Sequence, residues 1–169
     1  MNKQGRVLIV DDEKRWGKEL AETLQREGFS ADAVENVTQA LEQLSTILYH
    51  IVVLDIRLPS SAEGIDLLKE LDKRGLKEAT KVIMHSGYGT LEQMRLAFKD
   101  YDVADFVPKT SKEAFLKSVQ QVFNEKVKIN PALDIQWQMK NDVGHLVTNL
   151  RINGRRVGGN HLLRQRLVE

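Results

Sequence analysis

The chain has 169 residues, no cysteine and a formal net charge of +1. With 41% hydrophobic and 29% charged residues, its composition indicates a globular core and excludes a disordered chain. No apolar run approaches the roughly 20 residues of a membrane-spanning helix, and the polar N-terminus lacks the apolar segment of a signal peptide. The lack of cysteine excludes disulfides and thiolate metal sites. It is compatible with a reducing cytoplasm, where we expect the protein.

The near-neutral charge hides a difference between two parts of the chain. Residues 1–125 hold 17 Lys/Arg and 21 Asp/Glu, a net charge of −4, whereas residues 126–169 hold 8 and 3, a net charge of +5. We therefore predict a domain at 1–125 and a short basic C-terminal extension at 126–169 that meets different surroundings or partners.

Short apolar runs and segments with helical periodicity alternate along the first part. The runs predict strands because they are short and rich in β-branched residues, whereas apolar residues three or four apart predict helices. In chain order we predict a strand at Arg6–Val10, a helix at Lys14–Glu27 stopped by Gly28, a strand at Ser30–Val34, and a helix capped by Asn36 that runs through Leu48. There follow a strand at Ile51–Asp55, a helix around Ile65–Leu71 stopped near Gly75, a strand at Lys81–Ser86, a helix capped by Thr90 that carries Leu91 to Phe98, a strand at Asp105–Pro108 and a last helix capped by Ser111.

Five alternations of strand and helix predict an α/β fold, with a parallel sheet covered by helices on both faces. We predict a doubly wound five-stranded sheet of order 2-1-3-4-5, whose topological switch point lies between strands one and three. Ligands bind at the carboxyl ends of strands beside such a point. These two strands end at Asp11-Asp12 and at Asp55.

Three carboxylates, those of Asp11, Asp12 and Asp55, are thus predicted to meet in one crevice. Unpaired, they would repel one another and raise their pKa values. A divalent cation relieves this repulsion, and ligands that are all oxygen suit Mg²⁺. Ser86 and Lys109 follow at the ends of strands four and five, on the same edge. The set predicts a phosphoryl-transfer site with Asp55 as the nucleophile, which would form an acyl phosphate.

At these residues the chain resembles the receiver domain of two-component response regulators, over about residues 5–125. The motifs that carry the resemblance are Asp11-Asp12-Glu13 after Val7-Leu8-Ile9-Val10, Leu54-Asp55-Ile56-Arg57-Leu58-Pro59 followed by Gly64, His85-Ser86-Gly87, and Phe106-Val107-Pro108-Lys109. It implies a flavodoxin-like fold of receiver type. A chemotaxis member of this family has the strand order predicted above.

The resemblance also implies roles in a phosphorelay. Asp55 would accept a phosphoryl group from a histidine of a sensor kinase or from a phosphotransfer protein. Asp11, Asp12, Asp55 and the backbone carbonyl of Arg57 would hold Mg²⁺, and Lys109 would contact the phosphoryl oxygens.

Further residues would carry the signal away from the site. Ser86 would swing toward the phosphoryl group, and Phe106 would turn inward as Ser86 moves. This coupling would alter the face made by the helix predicted from Thr90, the fifth strand and the last helix, and so control an output. Arg57 and Tyr88 flank the site and would tune the access of water and the lifetime of the phosphoryl group.

Two departures from the family pattern bear on this site. Family members commonly have proline directly after the lysine, often with a cis peptide bond. Here Pro108 precedes Lys109 and Thr110 follows it, which puts the loop geometry and the approach of the lysine in question. Phe106 also lacks the hydroxyl of the tyrosine that is frequent at its position.

Two other functional classes stay open. A Mg²⁺-dependent phosphatase with an aspartyl nucleophile often has a second aspartate two residues after the first, where this chain has Arg57. A constitutive interaction scaffold would need no phosphorylation. We expect a switch that catalyses only its own phosphorylation and dephosphorylation, not an enzyme that acts on external substrates. We predict that His85, Trp16 and Phe98 have packing roles.

The extension carries weaker signals. Alternation at Leu133–Met139 predicts a half-buried strand, Asn153-Gly154 a turn, and Asn160 the cap of an amphipathic helix. Its arginines indicate either a solvated face or DNA binding, but a helix-turn-helix domain needs more helices than these residues offer. Nucleic acid would thus be bound only through an output region that the sequence does not identify, and no membrane contact is expected. The extension could instead be a dimerisation or linker segment. We expect either that the chain is a fragment of a longer protein, or that the extension packs on the receiver or on a second subunit.

Overall fold

The computed structural model describes residues 5–56, 58, 63–76, 79–87, 99–127, 151–152 and 155–156. The strands of the main sheet are β1 (Arg6–Val10), β2 (Ser30–Val34), β3 (Ile51–Leu54), β4 (Lys81–Ser86) and β5 (Asp105–Pro108). The helices whose bounds lie within the described residues are α1 (Lys14–Arg26), α2 (Val37–Thr46), α3 (Glu63–Lys73) and α4 (Lys112–Lys126). The five strands are parallel and ordered β2-β1-β3-β4-β5. The predicted doubly wound α/β fold is confirmed.

Strand β1 lies between β2 and β3 in the sheet. Val10 pairs with Val34 of β2 on one side and with Leu54 of β3 on the other. The last residues of these three strands therefore lie at one level. Whatever follows β1 and β3 in the chain emerges side by side at this edge.

Two hydrophobic layers cover the sheet because successive side chains of a strand point to opposite faces. The first layer joins one set of alternate strand residues to α2 and α3; its strand members are Leu8, Val10, Val52, Leu54, Val82 and Met84. The second layer joins the other set to α1 and α4; its strand members are Val7, Ile9, Ala31, Ile51, Val53, Ile83 and Val107. Burial on both faces accounts for the uninterrupted apolar runs of β1 and β3.

Glycines end α1 and α3 as predicted. Gly28 and Gly75 have φ of 91° and 66°, a left-handed conformation that glycine adopts without steric cost. The following residues close the helices, since the Phe29 N–H donates to Leu24 O at 3.1 Å and the Leu76 N–H donates to Leu71 O at 3.0 Å. Both ends have the hydrogen-bond pattern of a Schellman motif.

The predicted N-caps of α2 and α4 are also confirmed. The Asn36 side chain accepts a hydrogen bond from the Gln39 N–H at 2.9 Å, and the Ser111 hydroxyl accepts one from the Ala114 N–H at 3.2 Å. Helix α2 ends at Thr46, before the predicted Leu48, because Ile47 is extended, with φ −123°.

Several sequence predictions lie outside the described residues. They are the helix segment at 91–98, the strand at 133–139, the Asn153-Gly154 turn and the helix from Asn160. The short strands β6 (Arg151–Ile152) and β7 (Arg155–Arg156) pair antiparallel. Among the helices that the structure describes, none has the length and apolar character needed to cross a membrane.

Candidate functional site

The site lies at the carboxyl ends of β1 and β3, where the switch point was predicted. Asp11 directly follows β1, and its N–H donates to Val34 O at 3.0 Å. Asp55 directly follows β3, and its N–H donates to Val10 O at 2.9 Å. These bonds continue the strand ladders by one residue, so the rigid sheet fixes the backbones of both aspartates.

Three carboxylates meet here. One oxygen each from Asp11, Asp12 and Asp55 lies within 4.8 Å of the other two. Asp11 and Asp55 are buried, whereas Asp12 is exposed. Three oxygen ligands with one open side fit Mg²⁺, which binds few protein carboxylates and keeps several waters.

Lys109 lies among these carboxylates. Its Nζ is 2.7 Å from Asp55 Oδ2, 2.8 Å from Asp11 Oδ2 and 3.2 Å from Glu13 Oε1. The lysine directly follows β5, and its N–H donates to Ser86 O at 3.2 Å. No peptide bond among the described residues is cis. Although proline precedes the lysine here, Lys109 Nζ lies within hydrogen-bonding distance of Asp55.

Burial and the ion pairs of Lys109 determine the pKa values of Asp11 and Lys109. Burial raises the pKa of Asp11, and the charge of Asp55 raises it further, while hydrogen bonding to Lys109 opposes the rise. Burial rather than repulsion between carboxylates is the leading cause. Burial alone would lower the pKa of Lys109, but its hydrogen bonds and charge interactions with Asp11 and Asp55 outweigh this, and its pKa is raised. The lysine therefore stays protonated at neutral pH.

Ser86 and Phe106 flank the site on β4 and β5. Ser86 is 1% exposed, and its hydroxyl has no hydrogen-bond partner within the described part of the chain. Phe106 pairs in register with Met84 and is half-buried against the first hydrophobic layer. A buried hydroxyl without a partner has a free energy to gain from a new acceptor.

His85 and Trp16 pack behind the site, as predicted. The His85 ring lies between those of Trp16 and Phe115, with centroid distances of 6.2 and 5.0 Å, and its Nδ1 is 2.9 Å from Val107 O. Burial lowers the pKa of His85. The imidazole is therefore neutral at physiological pH.

Three of the predicted residues cannot be placed, since Arg57, Tyr88 and Phe98 lie outside the described residues. In the other direction, sequence reasoning gave no role to Glu13, which contacts Lys109 across 96 positions of sequence. The available signal was its place as a third acid directly after Asp11 and Asp12.

Comparison with known proteins agrees with this geometry. A family model described as response regulator receiver domain matches residues 7–120. The regulatory protein AtoC of Escherichia coli strain K12 is 29% identical over 150 residues, which is 85% of this chain and 31% of that protein. A putative NtrX-like response regulator of Rickettsia conorii is 42% identical over 94 residues, 55% of this chain and 19% of that protein. The chain thus spans about a third or less of the length of these two relatives.

The fold likeness extends to solved structures. The crystal structure of a CheY-like response regulator receiver domain protein from Methanospirillum hungatei JF-1 superposes with a TM-score of 0.65 at 24% identity. The match covers 72% of this chain and 95% of that one. At this identity the likeness concerns the fold.

Proposed function

Because the chain belongs to the response regulator receiver domain family, we propose that it is a phosphorylation-dependent switch with Asp55 as its phosphoacceptor. Receiver domains act in general as signalling switches and not as turnover enzymes. The observation that carries the proposal is the position of Lys109, whose ammonium lies 2.7 Å from Asp55 Oδ2 beside a second buried aspartate. A fixed cation next to a carboxylate nucleophile is what phosphoryl transfer requires.

The proposed reaction uses Asp55 as a covalent carrier. A carboxylate oxygen of Asp55 attacks phosphorus while the bond from phosphorus to the donor breaks. With a kinase or a phosphotransfer protein as donor, the leaving group is a histidine imidazole. In dephosphorylation, water attacks phosphorus while the bond from phosphorus to the Asp55 oxygen breaks, which releases inorganic phosphate and restores the Asp55 carboxylate. Lys109 supplies positive charge to the phosphoryl oxygens during both steps.

Receiver domains usually hold Mg²⁺ at a cluster of aspartates, and the close approach of Asp11, Asp12 and Asp55 supports the same assignment here. When bound, the ion supplies charge neutralisation for the phosphoryl group. Asp11, Asp12 and Asp55 would hold it, with the backbone carbonyl of Arg57 as a further proposed ligand. Asp12, exposed at the rim, offers the ion its route of entry.

We propose that Ser86 and Phe106 transmit the change. The unpartnered hydroxyl of Ser86 gains an acceptor when a phosphoryl group is present on Asp55. Phe106, half-buried on the neighbouring strand, turns further inward as Ser86 moves. The face that includes β5 and α4 then changes its surface.

The partners and the location are proposals too. A sensor histidine kinase or a phosphotransfer protein would supply the phosphoryl group in the cytoplasm. The greater length of the matched relatives supports control of an output region as the result of switching. Control of a homodimer is the alternative proposal. Arg57 and Tyr88 would set how long the phosphorylated state lasts.

Acetyl phosphate with Mg²⁺ tests the proposal directly. We expect the intact mass of the full chain to rise by one phosphoryl group, and we expect no rise in Asp55→Asn. Removing Mg²⁺ with a chelator should prevent the modification. An unmodified wild type under these conditions contradicts the switch and leaves the scaffold.

Steady turnover separates the switch from the phosphatase. A receiver that only dephosphorylates itself should release no more than trace phosphate from small phosphate esters that do not phosphorylate it. Continuous, Asp55-dependent release from such esters would favour the enzyme.

A further inference from the structure

We infer that Glu13 is a positioning residue, whose carboxylate holds the Lys109 ammonium at the mouth of the site during phosphoryl transfer to Asp55. The inference rests on the proposed function. It concerns a residue that is neither the phosphoacceptor nor a member of the group that could hold a cation, since that group comprises Asp11, Asp12 and Asp55.

The contacts of Lys109 motivate the assignment. An ammonium group has three hydrogens to donate. Three carboxylates lie around Nζ, at 2.7 Å for Asp55, 2.8 Å for Asp11 and 3.2 Å for Glu13. These contacts account for the whole donor capacity of the lysine.

In the proposed reaction, two of the three carboxylates take other roles. Asp55 becomes bonded to phosphorus, and Asp11 becomes a ligand of the cation. Glu13 takes neither role, so its contact with Lys109 is the one that can persist. The lysine is then free to direct its remaining hydrogens at phosphoryl oxygens while it stays tethered.

The three carboxylates around Lys109 differ in their exposure to solvent. The side chains of Asp11 and Asp55 are 3% and 5% exposed, whereas that of Glu13 is 68% exposed. Glu13 directly precedes α1, and its exposed carboxylate meets the mostly buried Lys109 side chain from the solvent side. It therefore holds the lysine from the side on which a phosphodonor enters.

The expected effect is modest because the contact is exposed to solvent. Charge pairs of this kind change an equilibrium or a rate by a factor of about five at most. We expect Glu13→Ala to slow phosphorylation by acetyl phosphate about threefold to fivefold at saturating Mg²⁺. Glu13→Gln keeps an oxygen that can accept from Lys109, and its rate should stay within about twofold of wild type.

A spectroscopic readout makes the test independent of phosphorylation. In the metal-free full chain, the ammonium of Lys109 should give a slowly exchanging ¹⁵N–¹H signal that Lys109→Met removes. The signal should broaden in Glu13→Ala and persist in Glu13→Gln. Glu27→Ala, at an exposed position beyond the other end of α1, is the matched control and should leave both signal and rate unchanged.

The outcomes separate the inference from the function. A phosphorylated wild type with an unchanged Glu13→Ala rate and signal overturns the inference alone. Equal acceleration in Glu13→Ala and Glu13→Gln also overturns it, because Glu13 would then act only by repelling the anionic donor. A wild type that takes no phosphoryl group overturns the proposed function, and the inference falls with it.

Discussion

At the scale of single residues, the site depends on one lysine. The Lys109 side chain is 10% exposed and contacts two carboxylates that are almost fully buried. Removing one partner of a buried ion pair lowers the stability of the folded state, because the remaining charge keeps its desolvation penalty without compensation. The stability of the domain and the chemistry of the site should therefore respond together to changes at this residue.

Replacing Lys109 by methionine tests this dependence. We expect Lys109→Met to lower the free energy of unfolding by about 3 kcal/mol in Mg²⁺-free buffer, because Asp11 and Asp55 lose this partner. Mg²⁺ should restore part of the loss, since a ligand that binds the folded state stabilises it. Urea denaturation with and without Mg²⁺ measures both quantities.

Lys112→Met provides the comparison for that experiment. Lys112 pairs with Glu19 at 2.6 Å on the surface, where solvent screens the interaction. Its loss should be much smaller and insensitive to Mg²⁺. Equal losses in the two variants would contradict the assignment of Lys109 as the cation of a buried cluster.

His85 should make the free energy of unfolding depend on pH below neutrality. Its folded pKa lies below the ordinary value of 6.5 because of burial, so between these two values the unfolded chain binds a proton that the folded chain does not. Stability is therefore lost as pH falls through this window, by up to about 1.4 kcal/mol per pH unit.

His85→Leu removes this dependence. The unfolding free energy of wild type should fall relative to that of the variant between about pH 7.5 and about pH 5.5. Urea titrations at both pH values give the comparison. A constant difference between the two proteins would show that His85 titrates alike in the folded and unfolded chain.

At the scale of elements, the start of α3 holds the strand end that carries Asp55. A Cβ on Gly64 would lie 3.2 Å from Asp55 O and 3.3 Å from Ile56 Cα. Both atoms belong to the backbone, which cannot rotate away as a side chain can. The close approach of helix and strand end therefore requires glycine at this position.

Gly64→Ala should accordingly destabilise the protein. Crowding against backbone atoms costs about 2–3 kcal/mol, and the better helix propensity of alanine offsets about 1 kcal/mol, so we expect a net loss of about 1–2 kcal/mol. Gly87→Ala is the control, since a Cβ there meets no atom within 4 Å. Thermal unfolding of both variants measures the difference, and equal melting temperatures would contradict the requirement.

The elements show what local sequence can predict. The five strands and the glycine-terminated helices follow from short apolar runs and left-handed glycines, which are properties of adjacent residues. The end of α2 was placed two residues late because Ile47 and Leu48 continue the apolar pattern, although Ile47 is extended. Periodicity predicts which residues are buried better than it predicts where a helix stops.

Contacts between distant elements were less predictable. Strand order brings Asp11, Asp55 and Lys109 to one edge, so their meeting followed from topology. The contact of Lys109 with Glu13 and the packing of His85 between Trp16 and Phe115 depend on side-chain conformations and on how α1 and α4 pack. No local pattern encodes these quantities.

At the scale of the molecule, the members of the two hydrophobic layers that the structure describes run from Val7 to Val127. Each layer is built from strands and helices of this segment. We therefore propose that the segment is a domain that folds without the basic extension.

A fragment of residues 1–128 tests this, since it keeps Val127 against the second layer. Its melting temperature should match that of the full chain, and its phosphorylation rate should be the same. A much lower melting temperature would show that the extension packs on the domain, as one of the alternatives from the sequence requires.

The central claim is that the phosphoryl group resides on Asp55, and chemical trapping locates it. Borohydride reduces an aspartyl phosphate to homoserine, so reduction of the phosphorylated chain followed by peptide mass mapping identifies the modified residue. We expect homoserine at position 55 and aspartate at positions 11 and 12. Homoserine at position 11 or 12, or unmodified aspartate at all three, would contradict the account.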